Sequence, residues 1–309
     1  MAYNLKISSS DVEVLSPEQE IIDGIVQGIT QGSTILPLMR KLPNMTSGTA
    51  TMNVLDTLPV TYWVDESTNN GRKQTTKAAW KNKKIKAAEL AVIVPIKKNV
   101  YSDASYDLWT QIQPLIVQDA YRMVDEAIIL GENKPTEWRD GLIPSTRTAG
   151  NVADVNPTDN TYTQISKAMT KVEEDGYDVT AILGGVSLKG AFREGLVDTT
   201  GQPLNPTSEV MQLPRAYAKN GAWDNEQAKF IVGDFTQAVY AIREDMTFEV
   251  FDTGVITDAE GNIVYNLLQD DMVALRFTFR LGWEVANGAN ILNSDSATRF
   301  PFAIVEAQA

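Results

Sequence analysis

The chain of 309 residues carries 27 lysines and arginines against 40 acids, a formal net charge of −13, and 43% of its residues are hydrophobic. This balance is typical of a folded protein, and so negative a surface argues against nucleic-acid binding by the chain as a whole. The chain has no cysteine and no histidine, which excludes disulfides, thiolate metal sites and cysteine nucleophiles and removes the commonest general base.

Two further expectations follow from composition. Because no catalytic constellation is visible in the remaining residue types, we expect a protein that is not an enzyme and that holds no cofactor. No apolar run approaches the roughly 18 residues that a membrane-spanning helix needs. We therefore expect no membrane partner and synthesis in a cytoplasm.

The first 51 residues are predicted to form an N-terminal arm. Residues 1–15 are polar and irregular. The run that begins with Ser16 and Pro17 then has the residues of a helix start. Apolar residues follow at helical spacing, but glycines between positions 24 and 32 weaken the helix. We expect a short helix that docks on another surface.

Residues 52–96 are predicted to form one extended β-hairpin. Apolar residues nearly alternate from Thr49 to Val64, Asn70-Gly71 favours a tight turn, and the segment from Leu90 to Ile96 again has the pattern of a strand. With about 15 residues per arm at about 3.3 Å each, the hairpin would reach about 50 Å. Since an isolated two-stranded ribbon is marginal in water, we expect it to lie on another surface.

The hairpin carries an unusual charge. Residues 71–90 hold seven cations against one acid, a net charge of +6 that leaves −19 on the other 289 residues. The candidate contact residues are Arg72, Lys73, Lys77, Trp80, Lys81, Lys83, Lys84 and Lys86. Three interpretations stay open: a groove for single-stranded nucleic acid, a solvated face, and an arm that lies on the acidic body of a neighbouring copy. The charge asymmetry favours the third.

A long helix is predicted from Asp103 to Leu130, with Ser102 or Asp103 as its cap and Gly131 as its end. Apolar residues spaced three and four apart form one stripe along it, which is typical of a core-facing helix rather than of a cofactor site. At 1.5 Å per residue the helix would be about 42 Å long. A helix of this length could extend along a whole domain and form its spine.

Residues 151–255 predict a compact mixed α/β unit. The patterns indicate a helix near 163–175, a buried strand at 179–183, a short helix near 187–195, a turn at 198–206, and strands at 229–235, 238–242 and 247–251. We expect the adjacent acids Glu173, Glu174 and Asp175 at the first helix end to be solvated. No phosphate-binding or calcium-binding motif is present.

A long strand precedes the C-terminus. From Val273 to Val285 every odd position is apolar, which is typical of a strand with one buried and one solvated face. A hairpin around residues 257–262 leads into it. The strand would span about 43 Å, so we expect it to run alongside the long helix.

Taken in order, these elements resemble the major capsid proteins of tailed phages, with the Hong Kong 97-type capsid fold. The resemblance is carried by "IKAAELAVIVPIKKNVYSD", "EAIILGE", "LKGAFREGLVDTTGQPL", "FIVGDFTQAVYAIREDMTFEVF" and "DDMVALRFTFRLGWEVANGANIL". It implies an α+β capsid fold with five segments. These are the N-terminal arm (1–51), an extended loop formed by the β-hairpin (52–96), a peripheral domain with the spine helix (97–150), a mixed α/β axial domain (151–255), and the return hairpin, long strand and tail of the peripheral domain (256–309).

The resemblance also implies a function. The chain would be the head protein of a tailed bacteriophage, a structural protein that self-assembles as pentamers and hexamers into an icosahedral shell around packaged double-stranded DNA. It would be part of the virion, assembled in the cytoplasm of a bacterial host, with the hairpin lying over the adjacent subunit. A portal protein is an implied partner, and a separate scaffolding protein is implied if Met1 begins the full gene product.

Two alternatives stay open. An encapsulin-type nanocompartment shell shares the fold, and a sequence-independent single-strand binder would use the basic stretch. Some relatives crosslink their shells through a lysine–asparagine bond assisted by a glutamate. An ungapped comparison places Lys73 at the lysine, Asp270 at the acid and Ile263, between Asn262 and Asn266, at the asparagine. Because isoleucine cannot form this bond, we do not expect crosslinking.

Overall fold

The computed structural model describes residues 32–64, 73, 75–104, 107–156, 158–194, 209–210 and 213–306. The predicted helix after Ser16, the Asn70-Gly71 turn and the turn at 198–206 lie outside these residues. The chain divides into two compact units. Unit 1 comprises residues 1–32, 89–121 and 244–280, and unit 2 comprises residues 33–88, 122–243 and 281–309. This is a different division of the chain from the five predicted segments, which remain predictions.

The described part of the chain is a mixture of helices and strands, as the α+β prediction requires. The helices are α1 (Lys98–Asp103), α2 (Leu108–Ile129), α3 (Leu142–Ala149), α4 (Thr161–Glu174) and α5 (Leu188–Glu194). The strands are β1 (Arg40–Lys41), β2 (Thr49–Thr57), β3 (Ala79–Lys86), β4 (Ala88–Lys97), β5 (Ala181–Gly185), β6 (Glu209–Val210), β7 (Leu213–Ala218), β8 (Phe230–Gly233), β9 (Ala238–Phe251), β10 (Val255–Thr257), β11 (Ile263–Asn266), β12 (Met272–Val285) and β13 (Phe302–Val305). None of these helices is long and apolar enough to span a bilayer.

The strands form four sheets. A four-stranded sheet has the order β1-β9-β12-β4, and a five-stranded sheet has the order β13-β8-β5-β7-β6. Two further pairs, β2-β3 and β10-β11, are antiparallel hairpins. The hairpin predicted around residues 257–262 is therefore confirmed as β10-β11.

The long helix begins later than predicted. Residues 98–103 form the separate helix α1, and α2 begins at Leu108. The reason is Asp107, whose carboxylate accepts the backbone N–H of Trp109 at 3.0 Å and the hydroxyl of Thr110 at 2.8 Å. This capping of the first free N–H groups fixes the start. The predicted end is confirmed, because α2 stops at Ile129 and Gly131 has a left-handed φ of 76°.

In unit 1, the start of α2 packs on the long strand. Leu108 and Trp109 are buried with Ile96, Val273 and Leu275 in one cluster. The predicted contact between helix and strand is therefore confirmed at the start of α2, within this unit. Aromatic and aliphatic burial of this kind contributes about 1.5–3 kcal/mol per side chain.

Strand β12 runs from Met272 to Val285, and all its odd positions are buried, as predicted. Its other face is half-covered rather than fully solvated. In unit 1, Arg276 forms an ion pair with Glu249, and the Nε atom of Arg280 lies 3.7 Å from a carboxylate oxygen of Glu89. Charge pairs with neighbouring strands thus cover the polar face.

Strand β9 is one strand of 14 residues, where two strands at 238–242 and 247–251 were predicted. The polar residues between them continue the strand because β9 lies inside the four-stranded sheet, between β1 and β12. Because β1 pairs only with Val239 and Tyr240, it is the neighbouring strand β12 that overrides the weak strand preference of residues 243–246.

The core of unit 2 lies between α4 and the five-stranded sheet. Ile165 and Val172 of α4 are buried with Ile182, Phe230 and Val232. The predicted helix, buried strand and following short helix are confirmed as α4, β5 and α5. One expectation is wrong: Asp175, next to α4, is buried and not solvated. Its side chain accepts three hydrogen bonds, which offset the cost of removing it from water.

Candidate functional site: the basic hairpin

The basic hairpin is shorter than predicted. Its two arms are β2, with nine residues, and β3, with eight residues. The next strand, β4, belongs to the four-stranded sheet, so the predicted hairpin over 52–96 joined two sheets into one. The break falls at Ala87, whose backbone N–H donates to Gly48 O at 2.9 Å and closes the base of the hairpin.

The register gives the hairpin two faces. Side chains of opposite residues in an antiparallel pair project to the same side. The outer face consists of the pairs Thr49–Lys86, Thr51–Lys84, Asn53–Asn82 and Leu55–Trp80. The inner face consists of the pairs Ala50–Ile85, Met52–Lys83 and Val54–Lys81. The candidate contact residues therefore do not share one face.

The inner face packs on the chain's own unit 2. Ile85 is 1% exposed and lies in a cluster with Val239 and Ala241. Gly282 makes this close approach possible, because a Cβ atom there would lie 2.5 Å from Lys86 O. The indole N–H of Trp138 donates to the same carbonyl oxygen at 3.1 Å. The base of the hairpin is thus anchored by burial and by hydrogen bonding.

Lys83 belongs to this anchored side. Its ammonium group donates to Val285 O at 2.8 Å. Burial lowers the pKa of Lys83, and so do the nearby charges of Arg139 and two further cations, while Glu284 acts in the opposite direction. Glu284 is itself paired with Arg139 at 2.7 Å, so among the described residues no carboxylate is paired with Lys83 alone. Its side chain is bound within the chain rather than presented to a neighbour.

The outer face is open to solvent. Trp80 is 67% exposed, and Lys84 and Lys86 are exposed beside it. Lys73 and Lys77, outside the strands, are exposed too, and Lys81 is an exposed member of the inner face. Arg72 lies outside the described residues.

In the sequence the cations of residues 71–90 form one group. The signal that separates them is the parity of their positions in β3. Ile85 shares its parity with Lys81 and Lys83, whereas Trp80, Lys84 and Lys86 have the other parity. In a strand, residues of one parity share a face.

An apolar segment follows β2 and was not singled out from the sequence. Residues 58–64 contain Val60, which is 69% exposed, and Trp63, which is 96% exposed. The backbone N–H of Val60 donates to the hydroxyl of Thr76 at 2.9 Å, which ties the two arms together beyond the strands. Exposed large apolar side chains next to a basic face are typical of a surface that binds another protein.

Ile263 and Asp270, which align with crosslinking residues of some relatives, form no chemical site. Ile263 is 67% exposed, and Asp270 accepts the backbone N–H of Asn266 at 2.9 Å. Within the described ranges, no group of three or more acidic side chains could hold a metal ion. The geometry of the hairpin is suited to contact with a macromolecule rather than to catalysis.

Comparison with known proteins agrees with this geometry. Residues 15–292 match the model of the phage capsid family. The chain is 25% identical over 297 residues to the major capsid protein of Staphylococcus phage 80alpha, a match that covers 90% of this chain and 85% of that one.

Solved structures give the same result. A chain from Microbacterium phage Oxtober96 is 34% identical with a TM-score of 0.82, and the match covers 98% of this chain and 99% of that chain. A chain from Mycobacterium phage Bobi is 28% identical with a TM-score of 0.83, covering 99% and 100%. The capsid of a native GTA particle, 16% identical with a TM-score of 0.64, shares the fold.

These matches confirm the predicted resemblance to tailed-phage major capsid proteins of the Hong Kong 97 type. They give no support to the alternatives of a nanocompartment shell or a single-strand binder. The chain therefore belongs to the phage capsid family, and it is a major capsid protein that forms the head shell of a tailed phage.

Proposed function

We propose that copies of the chain assemble as pentamers and hexamers of an icosahedral shell in which the outer face of the hairpin lies on the adjacent subunit. The exposed apolar segment 58–64 would extend the same contact. The observation that carries this proposal is the separation of the hairpin into an inner face bound to its own chain and a basic outer face that is open to solvent.

Unit 1 provides a surface of complementary charge. Residues 89–121 and 244–280 contain twelve acids and four bases, a net charge of −8. Eleven of these acids are exposed, and Asp258 is partly buried. A basic face on one copy and an acidic unit on the next would attract each other and set their register.

The strength of the contact would come from repetition. Each exposed ion pair contributes only about 0.2–1 kcal/mol. In a closed shell every subunit is held on several sides, so weak contacts act together. Burial of Trp63 and Trp80 would add apolar area to the charge pairs.

The same charge distribution bears on the other partners. As a capsid protein the chain is part of the virion, and we propose that it assembles in the host cytoplasm with a scaffolding protein and a portal protein. A surface that is acidic on average would enclose packaged double-stranded DNA without binding it tightly.

The decisive variant reverses charge on the outer face alone, as Lys84→Glu with Lys86→Glu. Lys83 is left unchanged, because a carboxylate beside Val285 O and Glu284 would disturb the fold. We expect the variant to fold normally by circular dichroism and to form no shells by negative-stain electron microscopy and sedimentation, when it is expressed with its head-assembly partners.

A matched control reverses two exposed lysines outside the hairpin, as Lys98→Glu with Lys219→Glu. This control changes the net charge by the same amount and should still form shells. Normal shells from the outer-face variant would refute the proposed contact, and loss of shells from both variants would show a general effect of charge instead.

A further inference from the structure

The loop between β12 and β13 carries a second exposed apolar group. Residues 287–299 form this loop, and its tip consists of Ile291, which is 88% exposed, and Leu292, which is 73% exposed. Both side chains lie in unit 2, outside the outer face of the hairpin and outside segment 58–64. The structure therefore presents a pair of large aliphatic residues that the proposed hairpin contact does not use.

A buried carboxylate holds the base of the loop. One oxygen of Asp175 accepts the side-chain amide of Asn293 at 2.7 Å, and the other accepts the backbone N–H of Phe300 at 3.0 Å and the side-chain amide of Asn151 at 2.7 Å. The amide of Asn290 donates to Asp175 O at 2.6 Å. The residues on both sides of the tip are thus bound to one aspartate.

Arg299 fixes the loop from the other end. Its side chain is 1% exposed, and its guanidinium donates to Asn293 O at 2.9 Å and to Asn287 O at 3.3 Å. The hydroxyl of Tyr177 donates to the side-chain oxygen of Asn287 at 2.8 Å. A buried and satisfied network of this kind holds a loop in one conformation.

Rigidity and exposure together indicate a binding element. An apolar pair at a loop tip gains nothing in a lone subunit, because both side chains remain in water. A loop that is already ordered loses little conformational entropy on binding, so less of the gain from burying its apolar tip is offset. Ile291 and Leu292 have the properties of a preorganised anchor.

The charge of the loop argues against packaged DNA as the partner. Residues 287–298 contain one acid, Asp295, and no lysine or arginine, and the cation that follows, Arg299, is buried. A phosphate backbone would find no cation to pair with. The tip is suited to an apolar protein surface.

We infer that Ile291 and Leu292 form an apolar anchor that binds a second copy of this chain, at a contact separate from the outer face of the hairpin. The inference rests on the proposed assembly of copies. Continuity supports the choice of partner, because the backbone N–H of Ala289 donates to Leu55 O at 2.8 Å, which joins the loop to the end of β2 farthest from the base, where Leu55 pairs with Trp80 on the outer face. A neighbour that covers the outer face at Leu55 and Trp80 would lie next to the tip.

The anchor is tested by making its two residues polar, as Ile291→Gln with Leu292→Gln. The control makes the same change at two residues that are each 51% exposed, as Leu115→Gln with Val186→Gln. We expect the anchor variant to have the same unfolding temperature as wild type, but to need a protein concentration more than about tenfold higher for shell formation. The control should assemble as the wild type does. An unchanged assembly concentration would overturn the inference.

A second variant tests the role of rigidity. Asp175→Asn would place an amide N–H₂ group opposite donors that now bind a carboxylate oxygen, and it leaves the tip unchanged. We expect weaker assembly from this variant and partial recovery with Asp175→Glu, which keeps the acceptors. Full assembly by a folded Asp175→Asn variant would contradict the preorganised anchor.

The partner is identified by crosslinking. Because the chain has no cysteine, Ile291→Cys gives one site for a benzophenone maleimide in assembled shells. We expect a photoproduct of twice the 34.0 kDa chain mass, in which mass spectrometry finds peptides of this chain alone. Crosslinks within one chain or to another protein would overturn the inference. The outer-face charge variant, Lys84→Glu with Lys86→Glu, separates the two proposals. If it forms normal shells, the hairpin contact is refuted, whereas the anchor is not.

Discussion

The two faces of the basic hairpin differ although alternate residues of the same strands form them. Lys83 and Lys84 are neighbours in β3, yet Lys83 donates to a carbonyl of its own chain and Lys84 is exposed to solvent. The comparison shows that the number of cations in a segment does not measure the charge that it presents. Strand parity decides which cations are available to a partner.

The inner face also has a consequence for the outer face. Ile85 and Lys83 fix the base of the hairpin on unit 2, so the outer face near the base is held in position before any partner binds. A contact made by an ordered surface loses less entropy than one made by a free ribbon. Changes on the inner face should therefore alter the stability of the fold, and changes on the outer face should alter assembly.

Ile85→Ala should have the largest effect on stability. Ile85 is 1% exposed, and its removal would leave a cavity between the hairpin and Val239. Truncation of a buried isoleucine costs about 2–5 kcal/mol. Urea unfolding of unassembled protein would measure the loss, and a loss below about 1 kcal/mol would show that the inner face is loosely packed.

Gly282→Ala should have the next largest effect. A Cβ at this position would lie 2.5 Å from Lys86 O, so the backbone of the hairpin base would have to move. Overpacking of this kind costs about 1–3 kcal/mol. Gly48→Ala is the matched control, because a Cβ there meets no atom within 4 Å. Equal unfolding free energies for the two variants would argue against a close contact at Gly282.

The elements that the sequence predicted best have strong periodicity of their own. The long strand β12 shows alternating apolar residues, and α4 shows helical spacing with Asn160 as its cap. These patterns depend on nearby residues, so they can be read without knowledge of the fold. The capsid fold followed from the order of such elements along the chain.

The features that were missed depend on contacts between distant residues. The hairpin ends at Ala87 because β4 joins another sheet, and Asp175 is buried because it binds residues more than a hundred positions away. Nothing in the local sequence distinguishes this aspartate from the exposed Glu174. The same holds for Lys83, whose carbonyl partner is Val285.

Lys83 should give a small effect that depends on pH. Its folded pKa is below the ordinary value of 10.5 because burial disfavours the charged form. Between the folded and the unfolded pKa, the unfolded chain binds more protons, so Lys83 makes the protein more stable as pH rises through this window. The unfolding free energy of wild type minus that of Lys83→Met should therefore increase as pH rises toward 10.5. Lys84→Met controls for the loss of one positive charge, and a pH-independent difference would contradict the buried environment.

The smallest change in stability is expected on the outer face. Lys84→Ala with Lys86→Ala removes two exposed cations, and such surface changes stay within about 0.5 kcal/mol. Assembly should nevertheless respond, because the charge attraction that favours the contact is screened by salt. We expect shell formation by this variant to need more protein at low salt and to be less sensitive to added salt than wild type, as measured by light scattering. If the variant keeps the wild-type salt dependence, the outer face makes no electrostatic contact, and the difference between the two faces concerns folding alone.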